Sequence, residues 1–213
     1  MTTPTAMVFV IDDDESMRKS LKRLLGAADY EAQVFKSASE FLSRSPHPGP
    51  SCVIVDVRMP GLNGIDFQNA VIENNREEQL IFITGHGNIP MCAQAMKAGA
   101  VDFLPKPFKP KQLLESVERA LSRSAEQRRR SSERDHARAL LQQLTRREYE
   151  VMELVATGLL NKQVGGELGM AEKTVKTHRA HVMQKLRITS VAELMVVLQK
   201  AEVTPRVRPG TKV

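Results

Sequence analysis

The chain has 213 residues, no tryptophan, and 31 lysines and arginines against 25 aspartates and glutamates. That length suits one or two domains of roughly 100–200 residues each, with cores built from aliphatic side chains. No apolar stretch approaches the ~20 residues that cross a bilayer, and no basic segment followed by a long apolar core marks a secretion signal. Cys52 and Cys92, the two cysteines, lack metal-ligand spacing, which reads as two buried, reduced thiols in a cytoplasmic protein.

The first half alternates short apolar runs with helical patterns. Val8-Phe9-Val10-Ile11 ends in Asp12-Asp13-Asp14-Glu15, and Met17, Leu21, Leu24 and Leu25 then mark a helix face. A second run lies near 31–35. Residues 45–50, rich in proline, form a loop. Cys52-Val53-Ile54-Val55 ends in Asp56, and residues 59–64 form another loop. Leu80-Ile81-Phe82-Ile83 ends in Thr84. Val101-Asp102-Phe103-Leu104 is followed by Lys106-Pro107, and Leu113, Leu114, Val117 and Leu121 mark a closing helix. Five such βα units predict an α/β domain over residues 1–121, a doubly wound five-stranded parallel sheet.

The C-terminal edge of an open parallel sheet is where ligands bind, and four strands deliver carboxylates, a hydroxyl and an ammonium to it. Magnesium suits this oxygen-rich edge because it takes few protein ligands and keeps waters for a phosphate to replace. Asp13 and Asp56 are its expected ligands, with Asp12 adding charge behind them and the backbone carbonyl of Arg58 a further ligand candidate. Beside magnesium, a carboxylate such as Asp56 can attack phosphorus and become an aspartyl phosphate. Lys106 would neutralise charge on the moving phosphoryl group, and Thr84 could donate its hydroxyl to a phosphate oxygen. Singly, each residue has a plainer reading: Asp14 caps a helix, Thr84-Gly85 makes a turn, Lys106 lies on the surface. Helix capping does not account for all of them standing just past strand ends.

This half resembles the receiver domain of two-component response regulators, a flavodoxin-like fold, through Asp12-Asp13, Asp56, Thr84-Gly85 and Lys106-Pro107-Phe108. Residues Thr84-Gly85-His86-Gly87 through Ala95-Met96-Lys97-Ala98-Gly99-Ala100 are similar to the FixJ branch. The resemblance implies that Asp56 accepts a phosphoryl group from a sensor histidine kinase and that the Lys106–Pro107 bond is cis. It further implies a switch in which Thr84 moves toward the phosphate and Phe103 follows. Phe103 lacks the hydroxyl of the tyrosine many relatives carry there, so packing must drive that movement; the plainer reading is a core aromatic.

Residues 122–143 are rich in serine, arginine and glutamate, and no glycine or proline interrupts residues 111–157. This stretch reads as a solvated helical linker, continuous with the helix before it. Arg128-Arg129-Arg130 reads as a solvent face, with phosphate contact as the alternative.

Charge then changes sign. Residues 1–120 carry 13 lysines and arginines against 15 acids, whereas residues 121–213 carry 18 against 10. Such asymmetry suggests a polyanion partner for the second half. Residues 144–200 predict an all-α four-helix domain. Thr145-Arg146-Arg147-Glu148 is a capping box whose helix stops at Gly158. Asn161 caps a short helix ending at Gly169, a third runs from about Glu172 to Leu186, and Ser190-Val191-Ala192-Glu193 opens a fourth. In the third, Val175, His178, Val182 and Leu186 share one stripe, with His178 read as a packed core residue. Lys173, Lys176, Thr177, Ala180 and Gln184 share the opposite stripe. A helix so divided can enter the major groove.

Leu144-Thr145-Arg146-Arg147-Glu148, Asn161-Lys162, Thr174-Val175-Lys176-Thr177-His178 and Lys185-Leu186 resemble the LuxR-type helix-turn-helix. The resemblance implies double-stranded DNA binding as a homodimer formed on activation, with the fourth helix (191–199) as a dimer surface and RNA polymerase as a further partner. Lys176, Thr177 and Ala180 would face base edges; Lys173, Arg179 and Asn161 would face phosphates. Gly165-Gly166 stands where helix formers are usual, so the positioning helix reads as soft, and Ala171 stands where serine or threonine usually caps, so the free DNA-binding domain reads as marginal, tightening on DNA or on dimerising. Residues 201–213 read as a disordered basic tail.

Two other functions compete with a phosphorylation-switched transcription regulator. A magnesium phosphatase with an aspartate nucleophile commonly places an aspartate two residues later as acid; here that residue is Arg58, so general-acid help is absent. A regulator that binds DNA without needing phosphate is the other.

Overall fold

The computed structural model describes residues 5–85 and 89–205. Of the readings above, His86, Gly87 and residues 206–213 of the expected tail lie outside the described residues. The described residues fold as two compact units, divided between Arg128 and Arg129.

The first unit is built on five parallel strands, β1 (Met7–Ile11), β2 (Glu31–Phe35), β3 (Ser51–Asp56), β4 (Gln79–Thr84) and β5 (Asp102–Pro105), in the order β2-β1-β3-β4-β5. Strand pleating sends alternate side chains to opposite faces. Val8, Val10, Cys52, Ile54, Ile81 and Ile83 pack against α1 (Glu15–Ala27) and the first half of α5 (Pro110–Leu141). Phe9, Ile11, Val53, Val55 and Phe82 pack against α2 (Ala38–Leu42), α3 (Gly64–Glu73) and α4 (Ile89–Lys97). Both faces are covered, which explains why these strands read as continuous apolar runs. Because β1 lies between β2 and β3, the chain reverses direction across the sheet there, and a crevice opens at the carboxyl ends of β1 and β3.

Two readings change in this unit. Cys52 is buried and burial pushes its thiol well up, but Cys92 is half-buried on α4 rather than enclosed. The stretch read as a solvated linker also carries buried side chains. Ser124 is fully buried, and its Oγ accepts the Ser51 N–H at 3.0 Å. Arg128 donates to the carbonyls of His47 and Pro48 and lies 3.3 Å from Glu77, so it is not a free solvent-facing charge. A loss of apolar periodicity in the sequence concealed these polar anchors.

In the second unit, Ala137 and Leu141 of α5 join the core of α6 (Arg146–Ala156), α7 (Asn161–Leu168), α8 (Glu172–Leu186) and α9 (Val191–Ala201). Thr145 caps α6 with the reciprocal Glu148 bond. Three expectations need correcting. Leu160, not Asn161, is the N-cap of α7; its backbone is extended and its N–H goes to Gln163 Oε1 at 2.8 Å. Ser190 caps α9 but Glu193 reaches back to Thr189 N, one residue earlier than a capping box requires. Ala201 is fully buried and Val203 packs on the core, so the fold continues into the stretch read as tail.

Candidate functional site

Each predicted group at the sheet edge is placed by a strand end. Asp12 follows β1, Asp56 ends β3, Thr84 ends β4 and Lys106 follows β5. The Lys106 N–H bonds the Thr84 carbonyl at 2.7 Å, and the Lys106–Pro107 bond is cis. Lys106 Nζ lies 3.0 Å from Asp12 Oδ2 and 2.5 Å from Asp56 Oδ2. The other Asp56 oxygen, Oδ1, accepts the Arg58 N–H at 2.9 Å. The structure thus gathers two carboxylates on one ammonium, with Asp56 8% exposed, Asp12 1% and Thr84 fully buried.

Burial pushes the Asp12 carboxyl above its ordinary range, although the Asp14 N–H and Lys106 act to lower it. Burial also acts against the Lys106 ammonium, but its bonds to Asp56 and Asp12 prevail and raise its pKa. A permanently charged lysine held between two oxygens is a point charge already where a phosphoryl group would arrive.

Asp13 is exposed beside this pair. Among the described residues, no group of three His, Cys, Asp or Glu side chains stands close enough to hold a metal ion. The donor set still fits magnesium, which needs only one or two carboxylates and completes its shell with water and phosphate. Arg58 is exposed, two residues past Asp56. Phe103 is half-buried with its ring centroid 6.2 Å from Phe82, in the core cluster facing α2–α4.

The second unit presents a helix pair. The turn between α7 and α8 closes with Gly169 at φ 64°, a left-handed conformation that glycine adopts without steric cost. Gly165 makes the approach possible: a Cβ there would sit 2.7 Å from the Met170 carbonyl oxygen, whereas one on Gly166 would meet nothing within 4 Å. Gly165 is therefore a packing requirement and not a soft point. Ala171 is the N-cap of α8 and makes no side-chain cap bond, as its sequence position implies.

On α8, Val175, Val182 and Leu186 are buried, while Lys173, Lys176, Thr177, Ala180 and Gln184 are exposed together. His178 is half-buried, and its Nδ1 meets no hydrogen-bond partner among the described residues. Arg179 is half-buried and donates to Asn161 Oδ1 at 3.1 Å, so two of the three expected phosphate-facing residues are bonded to each other.

Sequence reasoning missed an ion pair on a buried carboxylate that joins α8 to α6 beside their apolar core. Glu148 is 4% exposed, and its carboxylate accepts from Lys185 Nζ at 2.6 Å as well as from the Thr145 N–H. Burial alone would raise its pKa, but Lys185 and Thr145 hold it down, to about 2. The capping box gave Glu148 a local role; nothing in the spacing of 37 residues marked Lys185 as its partner.

Comparison with known proteins accords with this geometry. The family described as response regulator receiver domain matches residues 8–118. Bacterial regulatory proteins of the luxR family match residues 142–198. Nodulation protein W of Bradyrhizobium diazoefficiens is 48% identical over 190 residues, covering 89% of this chain and 84% of its own. The transcriptional regulatory protein FixJ of Azorhizobium caulinodans is 37% identical, covering 93% and 94%. Among solved structures, the response regulator StyR is 44% identical with a TM-score of 0.83, covering 92% of this chain and 99% of that one. Full-length FixJ from B. japonicum is 35% identical with a TM-score of 0.55, covering 94% and 98%. No helix among the described residues is long and apolar enough to cross a membrane.

Proposed function

Since the chain belongs to the response regulators that join a receiver domain to a LuxR-type DNA-binding domain, we propose that Asp56 is its phosphoacceptor and that phosphorylation there controls promoter binding. The observation that carries this reading is the meeting of Asp12, Asp56 and Lys106 at the carboxyl edge of the sheet. A carboxylate oxygen of Asp56 attacks the phosphorus of a kinase phosphohistidine. A P–O bond forms as the P–N bond breaks, and the leaving imidazole takes up a proton from water. Lys106 pairs with the charge on the transferred group, and Thr84 donates its hydroxyl to a phosphoryl oxygen. Asp13 and Asp56, with the Arg58 carbonyl, would hold magnesium and Asp12 would add charge behind them; the metal would supply charge neutralisation during the transfer. Arg58 offers no acid for turnover, which suits storage of the phosphoryl group over steady release.

In this reading the movement of Thr84 carries Phe103 with it, the receiver dimerises in the cytoplasm, and the dimer engages paired half-sites. Lys176, Thr177 and Ala180 address base edges, with Ala180 limited to apolar contact such as a thymine methyl. Lys173, Arg179 and Asn161 address phosphates, and RNA polymerase is the partner the bound dimer serves. The test compares DNA affinity of the full chain before and after magnesium and acetyl phosphate, with Asp56→Ala alongside. Tighter binding only for the treated wild type is expected. Equal affinity in all three would favour a regulator that ignores phosphate.

A further inference from the structure

The turn from β1 to α1 carries four consecutive acids, Asp12 to Glu15. Like charges so placed repel, and a turn that must present carboxylates in one geometry needs something to restrain it. Two restraints are local: Asp12 Oδ1 accepts the Asp14 N–H at 2.9 Å, and Asp14 Oδ1 caps α1 through the Ser16 and Met17 N–H groups. A third comes from the first full turn of α1. Arg18 Nη1 donates to the Asp12 carbonyl at 2.7 Å and to the Asp13 carbonyl at 2.9 Å. The Arg18 backbone N–H bonds the Asp14 carbonyl at 3.0 Å. One guanidinium nitrogen of the half-buried Arg18 therefore joins the Asp12 and Asp13 peptides.

We propose that Arg18 is a positioning residue for the phosphoacceptor pocket, a clamp on the Asp12 and Asp13 carbonyls that fixes how their carboxylates are offered to magnesium; the inference rests on the phosphoacceptor reading. Two arguments support it. Magnesium demands near-octahedral geometry and tolerates misplaced ligands poorly, so restraint of the ligand backbone translates into affinity. The guanidinium also brings a permanent positive charge to the backbone of this acidic turn, which offsets part of the repulsion there before the metal arrives. Arg18 touches none of the reacting atoms, so its removal should alter metal affinity and not the maximal transfer rate.

The test titrates magnesium into the full chain calorimetrically, without phosphodonor, for wild type, Arg18→Met and Arg18→Lys. It then measures Asp56 labelling by acetyl phosphate as a function of magnesium. Arg18→Met should raise the magnesium dissociation constant and the half-saturating magnesium concentration about tenfold, the scale of one lost charge-assisted hydrogen bond. The rate at saturating magnesium should stay within about twofold of wild type, because no bonding partner of the phosphoryl group has changed. Arg18→Lys, which keeps the charge but replaces the guanidinium with a shorter-reaching ammonium, should lose less affinity than Arg18→Met. Magnesium affinities that agree within about twofold for all three would overturn the clamp. So would an equal loss in Arg18→Lys and Arg18→Met accompanied by an equal fall in melting temperature, the signature of a merely structural residue. A wild type that takes up neither magnesium nor phosphoryl overturns the underlying reading, and the clamp with it.

Discussion

Lys106 stands between two carboxylates at 2.5 and 3.0 Å, so its replacement removes one charge from two partners at once. Lys106→Met should slow Asp56 labelling by about 10–100-fold, the rate equivalent of a lost charge-assisted bond, measured with acetyl phosphate at saturating magnesium. Glycines 165 and 166 are adjacent and alike in sequence, yet opposite outcomes are expected. Gly166→Ala adds a Cβ where nothing lies within 4 Å and should stabilise the second unit by about 0.5–1 kcal/mol. Gly165→Ala drives a Cβ against the Met170 carbonyl oxygen and should destabilise it. Ala171→Ser restores the missing cap and should stabilise by about 1 kcal/mol. Thermal melts of the full chain, following the transition of the second unit, read all three. A Gly166→Ala melting temperature at or below wild type would refute the assignment of open space to that position.

At the scale of elements, polar tethers join α5 to the sheet and α6 to α8. Ser124 on α5 satisfies the buried Ser51 N–H at the start of β3. Ser124→Ala leaves that donor unpaired and should cost about 1–3 kcal/mol, seen as a lower melting temperature of the first unit with Asp56 labelling retained. Glu148 ties the start of α6 to the end of α8, and its carboxyl is held at about 2. A carboxyl lowered by folding contributes stability above its unfolded value, roughly 4.3, and loses it as pH falls toward the folded value. Glu148→Gln should therefore melt below wild type at neutral pH, and the gap should close as pH falls from about 4.5 to 2. A gap independent of pH across that window would show that packing, not charge, makes the tether.

At the scale of the whole molecule, an acidic pocket on one unit and a basic helix on the other divide the labour that the family membership implies. The exposed stripe of Lys173, Lys176 and Thr177 predicts DNA affinity that falls steeply with salt, because each phosphate contact releases counterions. Lys173→Ala should reduce the slope of log affinity against log salt by about 1 while leaving sequence preference unchanged, whereas Lys176→Ala should relax preference at one base pair. Filter binding to matched and mismatched sites over a salt series distinguishes the two.

Much of this organisation is carried by local pattern. The strand-length apolar runs are continuous because the sheet is covered on both faces, and the residues just past their ends, Asp12, Asp56, Thr84 and Lys106, fall on one edge by the geometry of a parallel sheet alone. Thr145 and Glu148 mark a helix start within four residues, and the 3.6-residue period of α8 separates Val175 from Lys176 without knowledge of any neighbour. What the chain could not declare are pairings between residues far apart, because their energies depend on which surfaces packing brings together. The Met170 carbonyl decides that Gly165 must be glycine, Lys185 decides that Glu148 is a buried charge, and Ser51 decides that α5 has a buried polar anchor at Ser124. Arg18 lies between the two cases: it is near its partners in sequence, but only the fold shows that its guanidinium turns back to the carbonyls of Asp12 and Asp13.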